Sequence, residues 1–184
     1  LKDISFQAMP GETIGIIGGT GSGKSTLVSL IPRFYDPQDG QVYMDGENVT
    51  EYTRKSIGEK VGIVQQRSVL FQGSIRDNLK WGDENATDED IWKAIEIAQA
   101  KEVVEGKPGK LDFQLEQNGR NLSGGQKQRL TIARALVKKP EILILDDSAS
   151  ALDFATDAAL RKAIHGLEGK MTTFLVSQRV AGIK

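Results

Sequence analysis

The stretch Gly18-Gly19-Thr20-Gly21-Ser22-Gly23-Lys24-Ser25 decides how the rest of this 184-residue sequence is interpreted. It fits the pattern G-x-x-x-x-G-K-[ST], in which glycines let backbone N–H groups approach the phosphates of a nucleoside triphosphate. The apolar segment Thr13–Ile17 leads directly into this stretch, and residues 25–30 can begin a helix after it. Strand, turn and helix in this order predict a phosphate-binding loop, because the helix N-terminus adds partial positive charge.

Particular atoms of this loop have expected roles. The Lys24 ammonium is expected to reach the β- and γ-phosphates, and the Ser25 hydroxyl is expected to ligate Mg²⁺. Thr26 follows directly and completes the predicted nucleotide-binding segment. The predicted ligands of this segment are therefore ATP and Mg²⁺.

A second signal is Ile142-Leu143-Ile144-Leu145, a continuous apolar run that ends in Asp146-Asp147. Such runs are typical of strands buried in a parallel sheet. A carboxylate at the end of this strand suits a Mg²⁺ site, so Asp146 is expected to hold the ion directly or through water. Taken alone, Asp146 could be an ordinary turn residue, but the phosphate-binding loop favours the metal role.

Leu122-Ser123-Gly124-Gly125-Gln126 forms a second glycine-rich turn, which opens a second helix. The Ser123 hydroxyl and the N–H groups that follow it would make a second anion site at that helix N-terminus. A single ATP does not need two such sites in one chain. We therefore expect each to serve a different ATP, one of them shared with a partner chain.

The remaining segments of the sequence predict both strands and helices, in an order that indicates the fold. Thr87-Asp88-Glu89-Asp90 has the form of a capping box, and apolar residues with helical spacing follow it. Strands are expected at residues 4–8, 42–44, 61–64 and 172–176, and helices at residues 88–98, 124–139 and 156–167. The order is β/α, then a helical insert from about residue 73 to 137, then β/α again. This order predicts an α/β nucleotide-binding core with a helical subdomain.

Composition excludes several classes of protein. The sequence has 24 basic and 25 acidic residues and a net charge of −1, so general affinity for nucleic acid or anionic lipid is not expected. It has no cysteine, which excludes disulfides and thiolate metal sites. The stretch Leu1-Lys2-Asp3-Ile4-Ser5-Phe6 already has the pattern of structured sequence. We expect the chain to be a piece of a longer protein.

Together these motifs resemble the nucleotide-binding domain of an ATP-binding cassette (ABC) transporter. Residues 122–126 match the signature motif of that family without deviation. Gln66 matches its glutamine-loop residue, and Ser150-Ala151-Leu152-Asp153 matches its D-loop. The stretches at residues 1–6 and 70–79 resemble the exporter branch in particular.

The resemblance implies a fold and a domain organisation. The expected fold class is α/β, a P-loop NTPase (RecA-like) core with an antiparallel β portion and an inserted α-helical signature subdomain. A single domain is expected over residues 1–184, with its core at about 1–72 and 138–184 and its helical subdomain at about 73–137.

The resemblance also implies how the motifs work. Gln66 would ligate Mg²⁺ and sense a membrane domain. Two nucleotide-binding domains would meet head to tail, so that the phosphate-binding loop of one and the signature of the other enclose each ATP. The signature residues expected to contact nucleotide are Ser123, Gly124, Gly125 and Gln126.

Two residues depart from the family pattern at the catalytic position. Most members carry Glu directly after the strand-end aspartate, whereas this chain has Asp147, which is one methylene shorter. Where the family has a switch histidine after the last strand, this chain has Gln178, which can donate a hydrogen bond but cannot carry a proton. Both changes favour a site of this chain that holds ATP with little turnover.

This combination, with an intact signature, resembles one subunit of a heterodimeric multidrug-type exporter. The expected partners are a second nucleotide-binding domain on a different chain and a transmembrane domain of the same polypeptide upstream of Leu1. The expected location is the cytoplasmic face of the cell membrane. The alternatives are an ordinary homodimeric exporter ATPase, in which Asp147 and Gln178 are neutral variants, an importer ATPase, and a soluble ABC ATPase of DNA repair or translation.

Other residues have weaker signals. The single histidine, His165, lies before the last strand and is expected to be a surface or packing residue. Trp81 and Trp92 are expected to pack within the helical insert. Asn118-Gly119-Arg120, just before the signature, falls where exporters contact the membrane helices of the partner.

Overall fold

The computed structural model describes residues 1–167 and 171–178 and, of Ala149, the backbone alone. The strands in these residues are β1 (Thr13–Ile17), β2 (Tyr43–Met44), β3 (Glu47–Asn48), β4 (Val61–Val64), β5 (Gly73–Ser74), β6 (Gln114–Leu115), β7 (Ile142–Asp146) and β8 (Thr172–Ser177). The α-helices are α1 (Lys24–Ser29), α2 (Arg54–Lys60), α3 (Ile75–Lys80), α4 (Asp88–Ile97), α5 (Lys101–Glu105), α6 (Gly124–Val137) and α7 (Phe154–His165). Short 3-10 turns cover Val49–Glu51, Lys110–Asp112, Gln117–Gly119 and Ser148–Ala151.

Two compact units make up the chain. The first unit comprises Leu1–Ile63, Pro140–Asp147 and the described part of Gly169–Lys184. The second unit comprises Val64–Lys139 and the described part of Ser148–Glu168. The boundaries of a core and a helical subdomain near residues 72 and 137 stay a prediction.

In the first unit, a parallel sheet carries the phosphate-binding loop and the aspartates that follow the apolar strand. The sheet order is β1-β8-β7-β4, and β8 pairs in parallel with both β1 and β7. Val28 of α1 packs in one buried cluster with Ile144 of β7 and with Phe174 and Val176 of β8, which fixes the helix after the phosphate-binding loop against the sheet. The antiparallel pair β2–β3 completes the expected α/β fold class, which the structure confirms.

The helices of the second unit begin at side-chain caps. Ser74, Thr87 and Ser123 each accept a hydrogen bond from the backbone N–H three residues later, and that later residue returns a bond to the cap, which makes three capping boxes. Ile91, Ala94 and Ile95 of α4 are buried, so the predicted helix and its apolar face are confirmed. The longest α-helix of the described residues has 14 residues. None of the helices in the described residues is long and apolar enough to cross a membrane.

One predicted strand is wrong. Residues 4–8 alternate between apolar and polar side chains, but they form no strand, and Ile4 and Phe6 are 48% and 53% exposed. Alternation determines only which side chains share a face, whereas a strand also needs a hydrogen-bonded neighbour. None of the strands in the described part of the chain pairs with these residues.

Three helices were not expected from the sequence: α2, α3 and α5. They have seven, six and five residues. Apolar periodicity needs a window of about 11 residues to be recognised, so helices this short escape it.

Candidate functional site

The phosphate-binding loop, residues 18–25, connects β1 to α1 in the first unit. Its lysine is held by the loop itself: Lys24 Nζ donates to the carbonyl oxygens of Gly18 at 2.6 Å and Gly19 at 2.8 Å. Nζ also lies 3.4 Å from the Ser22 hydroxyl oxygen. The ammonium group therefore lies within the loop, where phosphate oxygens would compete with these carbonyl groups for it.

Two glycines of the loop fit its tight shape. Gly23, the residue before α1, has φ 91°, a left-handed conformation that a side chain would strain. A Cβ atom at Gly18 would stand 2.7 Å from the Ser22 hydroxyl oxygen. These glycines therefore allow the tight curve of the loop, and glycine lets a phosphate approach the backbone closely.

The predicted metal ligands of the first unit are in contact. The Ser25 hydroxyl donates to Asp146 Oδ1 at 3.1 Å, which joins the start of α1 to the end of β7. Oxygen atoms of this kind are the ligands that Mg²⁺ prefers, usually together with water and phosphate oxygens. The residues present therefore fit Mg²⁺ bound together with a nucleotide. Within residues 1–167 and 171–178 no cluster of three or more Asp, Glu, His or Cys side chains could hold a metal without a nucleotide.

The two residues that depart from the family pattern follow the two neighbouring strands of the sheet. In the strand register, Asp146 pairs with Val176 and Ile17 with Ser177, so β1, β7 and β8 end at the same edge. The Asp147 N–H donates to the Val176 carbonyl at 3.0 Å. The Thr20 hydroxyl donates to Gln178 Oε1 at 3.2 Å, which places Gln178 against the phosphate-binding loop of its own chain.

In the second unit, the signature motif (residues 122–126) forms the N-terminus of α6. Ser123 is the N-cap: its hydroxyl oxygen accepts from the Gln126 N–H at 3.3 Å, and Gln126 Oε1 accepts from the Ser123 N–H at 3.1 Å. The hydroxyl proton of Ser123 stays available to donate to an anion. The first turn of α6 carries no acidic side chain that would offset the positive end of the helix dipole.

The predicted D-loop lies beside this motif in the second unit. A Cβ atom at Gly125 would stand 3.2 Å from the Ala151 carbonyl oxygen, so even alanine there would require a small shift of this backbone. Asp153 is the N-cap of α7 and accepts hydrogen bonds from the Thr156 N–H at 2.9 Å and the Thr156 hydroxyl at 2.7 Å. These hydrogen bonds lower the pKa of Asp153 and keep it ionised at the positive end of α7.

The predicted site residues therefore fall into two sets. The first unit holds the phosphate-binding loop, Asp146, Asp147 and Gln178, and it also holds Thr26, which is exposed on α1. The second unit holds the signature and Gln66, which is exposed two residues after the end of β4. His165 is exposed on α7, as expected.

Sequence reasoning missed the bond between Thr20 and Gln178 and both side-chain hydrogen bonds of Asn121, and it anticipated only part of the environment of Trp81. None of these hydrogen bonds has a local sequence signal. Thr20 and Gln178 lie far apart in the sequence, and Asn121 binds backbone atoms, which every residue carries. Trp81, expected to pack within the helical insert, stacks on Phe71 at a ring distance of 4.2 Å but is 66% exposed, so most of its side chain lies on the surface. An open cavity of about 490 Å³ beside Trp81 is lined by Asp77, Lys80, Gly82, Asp83 and Glu84 as well.

A family model and curated proteins match this sequence. The family model described as ABC transporter matches residues 1–150. The ABC transporter ATP-binding protein YfiB of Bacillus subtilis is 47% identical over 180 residues, which cover 98% of this chain and 31% of that protein. The beta-(1→2)glucan export ATP-binding/permease protein NdvA of Rhodopseudomonas palustris is 45% identical over 184 residues, which cover 100% of this chain and 31% of that protein.

A solved structure agrees with these relatives. A bacterial Atm1-family ABC exporter with ATP bound matches with a TM-score of 0.89 and 36% sequence identity, over 95% of this chain and 31% of the exporter chain. The chain thus spans about a third of the length of these three proteins. The family match over most of the chain, the fold and the arrangement of the motifs agree, and the chain belongs to the ABC transporter family as a nucleotide-binding domain.

Proposed function

We propose that this chain is the ATP-binding domain of an exporter, and that it pairs with a second, different nucleotide-binding domain to drive transport across a membrane. In this pair its own site would hold ATP with little turnover, and its signature would complete the competent site of the partner. The observation that carries the proposal is the placement of Asp147 and Gln178 at the sheet edge that also carries the phosphate-binding loop. Relatives named as an export ATP-binding/permease protein and an ABC exporter support the transport role.

Nucleotide binding at the first unit follows from three groups. Backbone N–H groups of the loop and Lys24 would hold the phosphates, and the contact between Ser25 and Asp146 would hold Mg²⁺ beside them. Bound Mg²⁺ would neutralise negative charge on the phosphate oxygens. Binding therefore needs no residue that departs from the family pattern.

Water activation is the step that the departures weaken. A carboxylate that polarises the attacking water must reach it, and Asp147 has a side chain one methylene shorter than Glu. A misplacement of about 1 Å can cost on the order of 10²-fold in rate. Asp147 has φ 49°, and its N–H is bound to Val176, so the backbone holds its position.

Gln178 adds a second reason for slow turnover. Its amide can donate to a γ-phosphate oxygen, but it cannot gain or release a proton as an imidazole does. Its Oε1 already accepts a bond from Thr20, which leaves the amide N–H₂ group as the donor. Gln178 therefore suits the binding of a γ-phosphate better than catalysis.

The signature is suited to completing the competent site of a partner domain. Ser123 and Gly124 are exposed, and outside the adjoining backbone of α6 an added Cβ at Gly124 would meet no atom of the described residues within 4 Å. The exposed N-terminus of α6, with the free Ser123 proton, suits the phosphates of an ATP held by another domain.

An exposed aromatic pair in the second unit supports contact with a membrane domain. Phe71 and Trp81 are 41% and 66% exposed although they stack on each other. We expect the transmembrane domain upstream of Leu1 to cover them. Since the sequence has no cysteine, Trp81→Cys in an otherwise cysteine-free full-length protein should react with a thiol reagent more slowly than Lys93→Cys, on the exposed face of α4. Equal labelling rates would contradict this contact.

Single-turnover ATP hydrolysis tests the proposal. The full-length protein that contains this domain is measured alone and then with a partner whose nucleotide-binding domain carries the catalytic Glu. Near-zero turnover alone, ATP binding in both samples and rapid turnover in the mixed pair are expected. Comparable turnover in both samples would show that Asp147 and Gln178 suffice and that the protein is an ordinary homodimeric ATPase.

A further inference from the structure

The half-buried side chain of Asn121 closes the loop that precedes the signature. Its Nδ2 donates to the Gln114 carbonyl at 2.9 Å, and its Oδ1 accepts from the Glu116 N–H at 3.1 Å. One amide thus binds two backbone groups that lie five and seven residues earlier. Nothing in the family motif includes Asn121, which stands one residue ahead of Leu122.

The closed loop has a defined backbone. Asn118 and Gly119 have φ 58° and 61°, which turn the chain back on itself. The Gly119 N–H donates to the Glu116 carbonyl at 2.7 Å, and the Leu122 N–H donates to the Gly119 carbonyl at 3.0 Å. These backbone bonds and the two bonds of Asn121 leave the segment from Gln114 to Leu122 few alternative conformations.

The loop joins the signature to a second structured element. Gln114 and Leu115 form β6, which pairs with β5, and Ser74 of β5 is the N-cap of α3. The Ile75 N–H also donates to the Phe113 carbonyl at 3.0 Å. Asn121 therefore connects the N-terminus of α6 to the β5–β6 pair and, through it, to the N-terminus of α3.

We propose that Asn121 is a positioning residue that holds Ser123 where it can bind the phosphates of an ATP on a partner domain. This inference rests on the proposed function of the signature, but it does not depend on whether the partner is the same or a different chain. Asn121 touches no nucleotide in this scheme and acts only through the backbone of residues 114–122.

The amide group is required because the loop presents one acceptor and one donor. Asparagine supplies both with a side chain of the right length, whereas aspartate supplies only acceptors and alanine supplies neither. Helix α6 itself does not need Asn121, since Ser123 and Gln126 cap it and Leu122 is buried. Removing the amide should therefore displace the signature without unfolding its helix.

The test uses the full-length protein paired with its partner, and it compares four variants. Asn121→Ala removes both bonds, and Asn121→Asp keeps the acceptor for the Glu116 N–H. Gln117→Ala is the control, because Gln117 is exposed in the same loop and its side chain makes no hydrogen bond among the described residues. Ser123→Arg is the reference for a blocked signature. The measurements are the kcat of ATP hydrolysis, ATP binding to the phosphate-binding loop of this chain, and Tm.

The expected result is a kcat about tenfold lower for Asn121→Ala, a smaller loss for Asn121→Asp, and no loss for Gln117→Ala. ATP binding to this chain and Tm should stay close to the unchanged protein in all of them. If Asn121→Ala does not fold, Asn121→Asp carries the comparison with Gln117→Ala.

Three outcomes would overturn the inference. Equal kcat for the Asn121 variants and Gln117→Ala would show that the amide does not position Ser123. A parallel loss of Tm and of ATP binding to this chain would show that Asn121 acts on folding alone. If Ser123→Arg also leaves kcat unchanged, the signature completes no site, and the proposed function fails together with the inference.

Discussion

At the scale of single residues, Asp147 and Gln178 together determine the expected rate of this site. The left-handed φ of 49° at Asp147 is tolerated better by Asp than by longer side chains. We expect Asp147→Glu to raise turnover at this chain's own site only modestly, mainly because Gln178 remains and in part because Glu tolerates this backbone conformation less well than Asp. Asp147→Glu combined with Gln178→His should raise it much further. Single-turnover hydrolysis, with the partner's phosphate-binding loop inactivated, measures both variants.

Full activity of Asp147→Glu alone would contradict the role given to Gln178. An inactive double variant that still binds ATP would show that a different group limits the site.

Gly82 is a second residue whose identity is determined by its surroundings. An added Cβ would stand 2.1 Å from the Arg134 carbonyl oxygen, which cannot move without shifting α6. Gly82→Ala should therefore lower the free energy of unfolding by about 1–3 kcal/mol. Urea unfolding of the 184-residue chain measures this change.

Gly58→Ala is the matched control for this prediction. Gly58 lies inside α2, and outside that helix nothing described lies within 4 Å of an added Cβ. Alanine should raise the free energy of unfolding there by about 0.5–1 kcal/mol. Equal effects of the two substitutions would mean that the close approach at Gly82 relaxes at no cost.

At the scale of elements, Lys60 joins three segments of the first unit. It is the last residue of α2, and its Nζ binds Glu141, just before β7, at 2.8 Å and Asp45, in the turn between β2 and β3, at 3.1 Å. These two carboxylates raise the pKa of Lys60 from 10.5 to about 12. Because the folded pKa is raised, the stabilisation is complete below pH 10.5 and is lost as the pH rises through 12.

We therefore expect Lys60→Met to lower the free energy of unfolding by about 0.5–1 kcal/mol at pH 8, since the pair is partly exposed, and by less near pH 12. Urea unfolding at several pH values between 8 and 12 measures this difference. Lys55→Met is the control on the same helix, because Lys55 is 88% exposed and its nearest carboxylate oxygen, on Glu59, is 4.0 Å away. A pH-independent effect of Lys60→Met would contradict an electrostatic origin.

At the scale of the whole molecule, the two units carry different halves of the proposed chemistry. The phosphate-binding loop belongs to the first unit and the signature to the second. Lys24→Ala should weaken ATP binding to this chain and leave turnover by the pair partly intact. Ser123→Arg should retain ATP on this chain and abolish turnover by the pair. ATP binding and hydrolysis by the full-length pair measure both variants.

The division of roles is wrong if both variants lose turnover equally and neither retains ATP binding. The same comparison tests the alternative of a homodimer, in which either substitution would disable both sites.

The sequence by itself determined the elements and motifs whose signals are local. Examples are the phosphate-binding loop, the capping box at Thr87 and the apolar runs of β4 and β7. In each of these patterns, the residues that form it lie within a few positions of one another. Such short-range patterns decide backbone conformation almost independently of the rest of the chain. The fold class and the family could be inferred from them for the same reason.

Only the tertiary structure decided which of these signals had partners. Residues 4–8 alternate like a strand but have no described neighbour to pair with, and Trp81, expected to pack within the helical insert, is 66% exposed. The bond from Thr20 to Gln178 joins residues 158 positions apart, and Asn121 binds backbone groups rather than side chains. A strand, a buried side chain and a hydrogen bond each need a second group brought near by the fold, and no local pattern in the sequence encodes that group.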